Sequence, residues 1–193
     1  LTLNRPEAFN ALNFAMIQSM DQQLRTWALN PAILAIVIKS ASQRAFSAGG
    51  DIRALYQNGR DHAALSLQFF NAEYRLNHLL GTYSKPIIAF IDGIVMGGGA
   101  GISMHGSHCV GTENVVFAMP ETAIGLYPDV GASHFLQKCP GLLSYYLALS
   151  GARLHIADCC YAGLITDFVP SNQLPELLNA LCTTPLPGDA WQA

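Results

Sequence analysis

Lys85-Pro86-Ile87-Ile88-Ala89-Phe90-Ile91-Asp92-Gly93-Ile94-Val95-Met96-Gly97-Gly98-Gly99-Ala100-Gly101 is the stretch from which the architecture can be read. Its first part is a short apolar run after a proline, rich in β-branched residues, which predicts a buried strand. Its glycine-rich end predicts a turn that opens a helix at about 98–106. Upstream, Ala32 to Ile38 follows Asn30-Pro31 and reads as a second strand. Before that strand, Asn13 is placed to cap a helix whose apolar residues Phe14, Ile17, Met20, Leu24 and Trp27 recur at three- and four-residue steps. A long helical pattern runs through 62–80. Downstream come strand-like Cys109-Val110 and Val115-Val116-Phe117-Ala118, a Gly/Pro-bearing loop at 124–131, and helical segments at about 132–150, 156–162 and 173–183. Such alternation predicts an α/β domain.

At 193 residues the chain is long enough for one well-buried domain. Its composition is 51% hydrophobic and only 12% charged, which predicts extensive burial, including surface meant for another subunit of a homo-oligomer or for a missing segment. No apolar run reaches the roughly 18 to 20 residues of a membrane-spanning helix. The formal charge is −3 and the ten Lys and Arg residues are scattered, so the basic stripe expected of a nucleic-acid partner is missing. Five cysteines, an odd number with Cys159 and Cys160 adjacent and no CxxC spacing, point to a reducing compartment. The chain opens at Leu1 without a charged n-region or cleavage site. The expected location is the cytoplasm for a bacterial source and the mitochondrial matrix for a eukaryotic one. Residues 1–182 are read as the catalytic core. Residues 183–193, with Pro185, Pro187, Gly188 and Trp191, are read as a tail or the start of a missing C-terminal region.

Two glycine turns, Ala45-Phe46-Ser47-Ala48-Gly49-Gly50-Asp51 and Met96 to Gly101, each follow a strand and precede a helical pattern. Glycine lets backbone approach a ligand closely, and main-chain N–H groups there can cradle an anion or oxyanion. A single such turn is better explained by crowding between strand and helix; two converging turns would suit a thioester carbonyl. Neither has the spacing of a phosphate-binding loop or a dinucleotide fingerprint. A third segment, Phe117 to Gly131, holds Glu121 and Asp129 in apolar surroundings, with Gly125 and Pro128 allowing the chain to turn back between them. The two acids could face one pocket for acid, base or nucleophile work, or simply cap helices and close salt bridges.

Together these residues resemble the crotonase superfamily, whose opening motif stands here as Leu3 to Ala8 followed by Asn10-Ala11-Leu12-Asn13. The resemblance covers nearly the whole chain. It implies a right-handed spiral of ββα units, usually assembled as trimers or dimers of trimers. It also implies an oxyanion hole from the N–H groups of Gly50 and Gly98, and a bent coenzyme A with Arg53 near its phosphates. Enoyl-CoA hydratases carry one glutamate at the position of Gly101 and a second where Glu121 stands; the first is absent here. The residues instead look like the 3-hydroxyisobutyryl-CoA hydrolase branch, with Glu73 in Ala72 to Asn77 and Asp129 where hydratases commonly have glycine. By that resemblance Glu121 attacks the thioester or activates water, Asp129 manages the proton or orients the substrate, and Glu73 binds a substrate hydroxyl. The implied reaction releases free acid and coenzyme A from a short β-hydroxyacyl thioester, as in valine breakdown, with no cofactor beyond the coenzyme A of the substrate.

Three rival readings remain in view. A serine esterase would use Ser103 beside His105, but the closing glycine of a GxSxG elbow is lacking. A metal site at His105 and His108 has only two histidines three apart. The third is a scaffold that retains the crotonase fold without turnover.

Overall fold

The computed structural model describes residues 1–61 and 63–184, without the side chains of 58–63. The predicted tail beyond residue 184, including Pro185, Pro187, Gly188 and Trp191, lies outside the described residues. In chain order the elements are β1 (Thr2–Leu3), α1 (Phe14–Ala28), β2 (Ile36–Ser40), β3 (Ala45–Ser47), α2 (Ile52–Asp61), α3 (Ala63–Gly81), β4 (Ile87–Ile91), β5 (Ile94–Met96) and α4 (Gly98–Gly101). They continue with β6 (His108–Gly111), β7 (Val116–Ala118), α5 (Ala132–Phe135), α6 (Leu143–Ser150), β8 (Leu154–His155), α7 (Ile156–Tyr161), β9 (Asp167–Phe168) and α8 (Leu174–Thr183).

The strands form two sheets, ordered β1-β2-β4-β6-β9 and β3-β5-β7-β8. Consecutive strands alternate between them: β2, β4 and β6 enter the first sheet, and β3, β5 and β7 follow in the second. Each strand pair is then followed by helical structure, so the chain winds as a spiral of ββα units. Parallel pairing fixes the register, with Val37 opposite Ile88, Ala89 opposite Cys109, and Val95 opposite Phe117.

The apolar run at β4 is continuous because both of its faces are covered. Ile87, Ala89 and Ile91 enter the main core, while Ile88 and Phe90 join Val110 against Leu174, Leu177, Leu178 and Leu181 of α8. Helix α1 starts where its sequence signal lies: Asn13 Oδ1 accepts from the Met16 N–H at 2.9 Å, and Ile17, Met20 and Leu24 are buried.

Three boundaries differ from the sequence reading, each for a local reason. The strand read as Ala32 to Ile38 begins at Ile36, because Asn30 first closes a turn, its Oδ1 accepting from Ala32 N–H and its carbonyl from Ile33 N–H. The helix read at 98–106 ends at Gly101, since the chain must return to place Ser107 N–H on the Ile87 carbonyl and His108 opposite Ile88. The helix read at 132–150 is divided into α5, a 3-10 turn at Leu136–Lys138 and α6. Cys139 is extended there (φ −69°, ψ 139°), the conformation that Pro140 imposes on the residue before it.

Candidate active site

The parallel strands β3, β5 and β7 all deliver their C-terminal ends to the same side of the second sheet. From those ends emerge Gly49-Gly50, Gly97-Gly98 and Pro120-Glu121, which with Glu73 of α3 and Asp129 line one cavity of about 230 Å³. Its remaining walls are largely apolar, including Phe69, Phe70, Leu126 and Val130. Of the residues singled out from the sequence, Gly50, Gly98, Glu121, Asp129 and Glu73 thus meet in one place. Arg53 does not: it lines a neighbouring, wider cavity with Tyr56 and Gln57, which shares Ile52, Leu55, Phe70, Ile124 and Leu126 with the first.

The two glycine turns abut one another. A side-chain carbon built on Gly98 would lie 3.2 Å from the Gly50 nitrogen, and one built on Gly49 would lie 3.3 Å from the Gly98 nitrogen. Leu12 bridges the first turn by donating to the Gly49 carbonyl and accepting from Asp51 N–H, which leaves the Gly50 N–H out of that bridge. Gly98 opens α4, so its N–H lies in the first helical turn and has no intrahelical acceptor. Glycine at 97 and 98 also makes room for the carboxyl groups. At Gly97, with φ 48°, an added carbon would lie 2.7 Å from Glu121 Oε1, and at Gly98 it would fall on Glu73 Oε1.

Glu73 and Glu121 are both buried, and Glu73 Oε1 and Glu121 Oε2 have no hydrogen-bond partner among the described residues. Burial, reinforced by the negative charges of Asp129 and Glu121, pushes the Glu73 pKa up to about 8. Burial, partly offset by a backbone hydrogen bond and reinforced by Asp129, pushes Glu121 up to about 7. Asp129 Oδ2 accepts a hydrogen bond from the Tyr74 hydroxyl at 2.6 Å. Burial and this same contact drive the Tyr74 pKa far upward, so the phenol keeps its proton and stays a donor. At neutral pH the cavity therefore pairs a protonated Glu73 with a Glu121 close to its titration point.

Supporting residues were less visible in the sequence. Asn10 is fully buried, and its amide donates to Ser40 Oγ at 2.7 Å and to the carbonyls of Ala45 and Phe46 at 3.3 and 3.0 Å. Ser47 Oγ donates to the Asn10 carbonyl and accepts from the Gly49 N–H, so the Asn10 motif braces the first glycine turn from below. Tyr74 and Asn77 follow Glu73 on α3 by one and four positions and line, with His105, Asp129 and Val130, a cavity that adjoins the first at Asp129 and Val130. Val130 closes the space beside Gly101, where an added carbon would be only 2.6 Å from Val130 Cβ.

The rival constellations fare differently. Ser103 is fully buried, and its hydroxyl is turned back onto the Gly99 carbonyl at 2.9 Å. His105 Nε2 is engaged with the Val130 carbonyl at 2.8 Å. Among the described residues no group of three His, Cys, Asp or Glu side chains is arranged to hold a metal, and no helix is long and apolar enough to cross a membrane.

Comparison with known proteins gives the family. A family model described as enoyl-CoA hydratase/isomerase matches residues 1–190. The mitochondrial 3-hydroxyisobutyryl-CoA hydrolase of Xenopus tropicalis is 50% identical over 187 residues, covering 97% of this chain and 49% of that protein. The small ribosomal subunit protein mS47 of Neurospora crassa is 45% identical over 192 residues, covering 98% of this chain and 38% of that protein. A crystal structure of an enoyl-CoA hydratase from Rhodobacter sphaeroides superposes with a TM-score of 0.91 at 41% identity, covering 96% of this chain and 56% of that one. The chain spans about half the length of the curated relatives it matches.

Proposed function

Because this chain belongs to the enoyl-CoA hydratase/isomerase family, we propose that it hydrolyses a short β-hydroxyacyl-CoA thioester, of the 3-hydroxyisobutyryl kind, to the free acid and coenzyme A. One observation carries the choice of hydrolysis over hydration. Hydration is expected to need a second carboxylate at position 101, and Val130 fills that space, while the third acid stands instead at Asp129. The relatives with 3-hydroxyisobutyryl-CoA hydrolase in their names support the same branch.

In this reading the Gly50 and Gly98 N–H groups receive the thioester oxygen as it becomes an oxyanion, while protonated Glu73 donates to the hydroxyl of the acyl group. The attacking oxygen comes from Glu121 itself or from a water that Glu121 deprotonates. The carbon–sulfur bond breaks as the tetrahedral anion collapses, and the departing thiolate is protonated through the Asp129 side of the cavity. Water supplies the second oxygen of the product acid, and no resident cofactor takes part. Arg53, at the rim of the wider cavity, is assigned to the coenzyme A phosphates.

The exposed Leu142, Tyr145, Tyr146 and Leu149 around α6 support assembly as a homo-oligomer. The mitochondrial names of several relatives support the matrix as the compartment for a eukaryotic source, and the cytoplasm follows for a bacterial one. A scaffold role is the second reading, supported by the relative named as a ribosomal subunit protein. Thiol release from a panel of acyl-CoA esters, run beside hydration of crotonyl-CoA, tests all three readings. Hydrolysis with a preference for β-hydroxyacyl esters is expected. Hydration alone would overturn the branch, and inertness towards every ester would favour the scaffold.

A further inference from the structure

Asp129 is followed by two residues in the left-handed region, Val130 at φ 45° and Gly131 at φ 79°. Glycine takes that conformation freely; a β-branched residue rarely does, and needs its surroundings to hold it there. What grips Val130 is visible. Its side chain is buried against Gly101. Its carbonyl meets His105 Nε2 at 2.8 Å, and since a carbonyl can only accept, that nitrogen carries the hydrogen. The imidazole is itself clamped: it stacks on His134 (centroids 6.2 Å apart, 25° between planes) and meets the edge of Phe135 at 5.6 Å. A side-chain carbon on Gly131 would fall on the ring.

We infer that His105 is a positioning residue: its Nε2–H hydrogen bond to the Val130 carbonyl pins the left-handed backbone that aims the Asp129 carboxylate into the thioester cavity. Tyr74 holds the same carboxylate from the side-chain end, at 2.6 Å. The hydrogen bond of His105 goes to the Val130 carbonyl and not to a carboxylate, so its hold on Asp129 is exerted through the backbone. The inference rests on the reading of Asp129 as part of a hydrolytic site, and it adds a residue to which the rival metal and esterase readings gave a different task.

The test uses the full chain with His105→Phe, which keeps a ring but removes the donor, His105→Gln, which restores an N–H, Val130→Gly, and the Val130→Gly/His105→Phe double variant. His105→Phe is expected to lower kcat by roughly tenfold to a hundredfold with KM within about threefold, and His105→Gln to recover most of the loss. In the Val130→Gly background the same His105→Phe change is expected to cost less than about threefold, because glycine needs no clamp. Should His105→Phe prove insoluble, His105→Met, which also lacks a donor, takes its place against His105→Gln. Wild-type kcat in the donor-less variant, or an equal loss in both backgrounds, overturns the inference. Crystal structures supply a readout independent of turnover: without the donor, Val130 should leave positive φ and Asp129 should part from Tyr74. An unchanged backbone there overturns the role of His105 even if the wild type hydrolyses no ester, an outcome that by itself would sink only the functional reading.

Discussion

The two glycine turns look equivalent in the sequence, each a strand end followed by glycines and a helix, yet they differ in what surrounds their donor glycines. The first is held by polar side chains: Asn10 and Ser47 tie down the carbonyls and the N–H around it, and Gly50 itself has ordinary space, an added carbon meeting Phe69 no closer than 3.4 Å. Both turns need bare glycine where they meet, Gly49 at φ 102° lying against the Met96 carbonyl, but the second depends on it further, with Gly97 and Gly98 pressed against Glu121 and Glu73. An oxyanion hole can therefore have one donor that tolerates a side chain and another that does not. A turn is as robust as whatever fills the space around it.

The largest effect expected from this contrast is at the second turn. Gly98→Ala drives a methyl into Glu73 and shifts a donor, so thiol release should fall by roughly a hundredfold to a thousandfold in kcat, as for loss of an oxyanion-hole donor. Activity near wild type would show the two turns to be alike after all. Next comes the brace of the first turn. Asn10→Ala leaves the Ala45 and Phe46 carbonyls without their amide partner, and chemical denaturation should show a loss of about 1–3 kcal/mol.

The crowded acids behind the second turn give a pH signature. Glu73, raised to about 8, holds in the folded state a proton that the unfolded chain releases near its ordinary value of 4.5. That contribution to stability is complete below the unfolded pKa and is lost as pH rises through the folded one, so Tm should decline between those values; Glu121, raised to about 7, acts in the same direction. Glu73→Gln should flatten the decline and raise Tm at pH 8 by roughly 5 °C, at about 2–4 °C per kcal/mol for a domain of this size. A steeper decline in the variant would contradict the assignment. In the wild type, kcat/KM should rise with pH as Glu121 ionises near 7 and fall as Glu73 loses its proton near 8, with the second limb absent in Glu73→Gln. The smallest effect belongs to Gly50→Ala, expected within about threefold of wild type because its backbone and its surroundings admit a methyl. A loss as large as that of Gly98→Ala would remove the contrast.

The α/β alternation was legible because β4 is apolar on both faces and because glycine marks the strand ends, signals that depend on local sequence. The acids and the oxyanion glycines were legible through their motif context. Their roles still rest on the proposed reaction. What the local sequence does not show depends on partners distant in the chain. Nothing around Val130 announces a left-handed backbone, since the cause is a ring 25 residues earlier. Asn10 stands in a recognisable motif, but its task appears only once β3 passes over it.

The strand pairing has a consequence for how the molecule comes to exist. Among the described strands every pairing except β7 with β8 is parallel, so no other two neighbours can zip together through a tight hairpin. Each must wait for a crossover to close. The two donor amides belong to successive windings and meet only after the chain has coiled past itself. During refolding, helical signal should therefore return well before turnover does, and a half-wound chain would hold correct local structure with no catalytic centre at all.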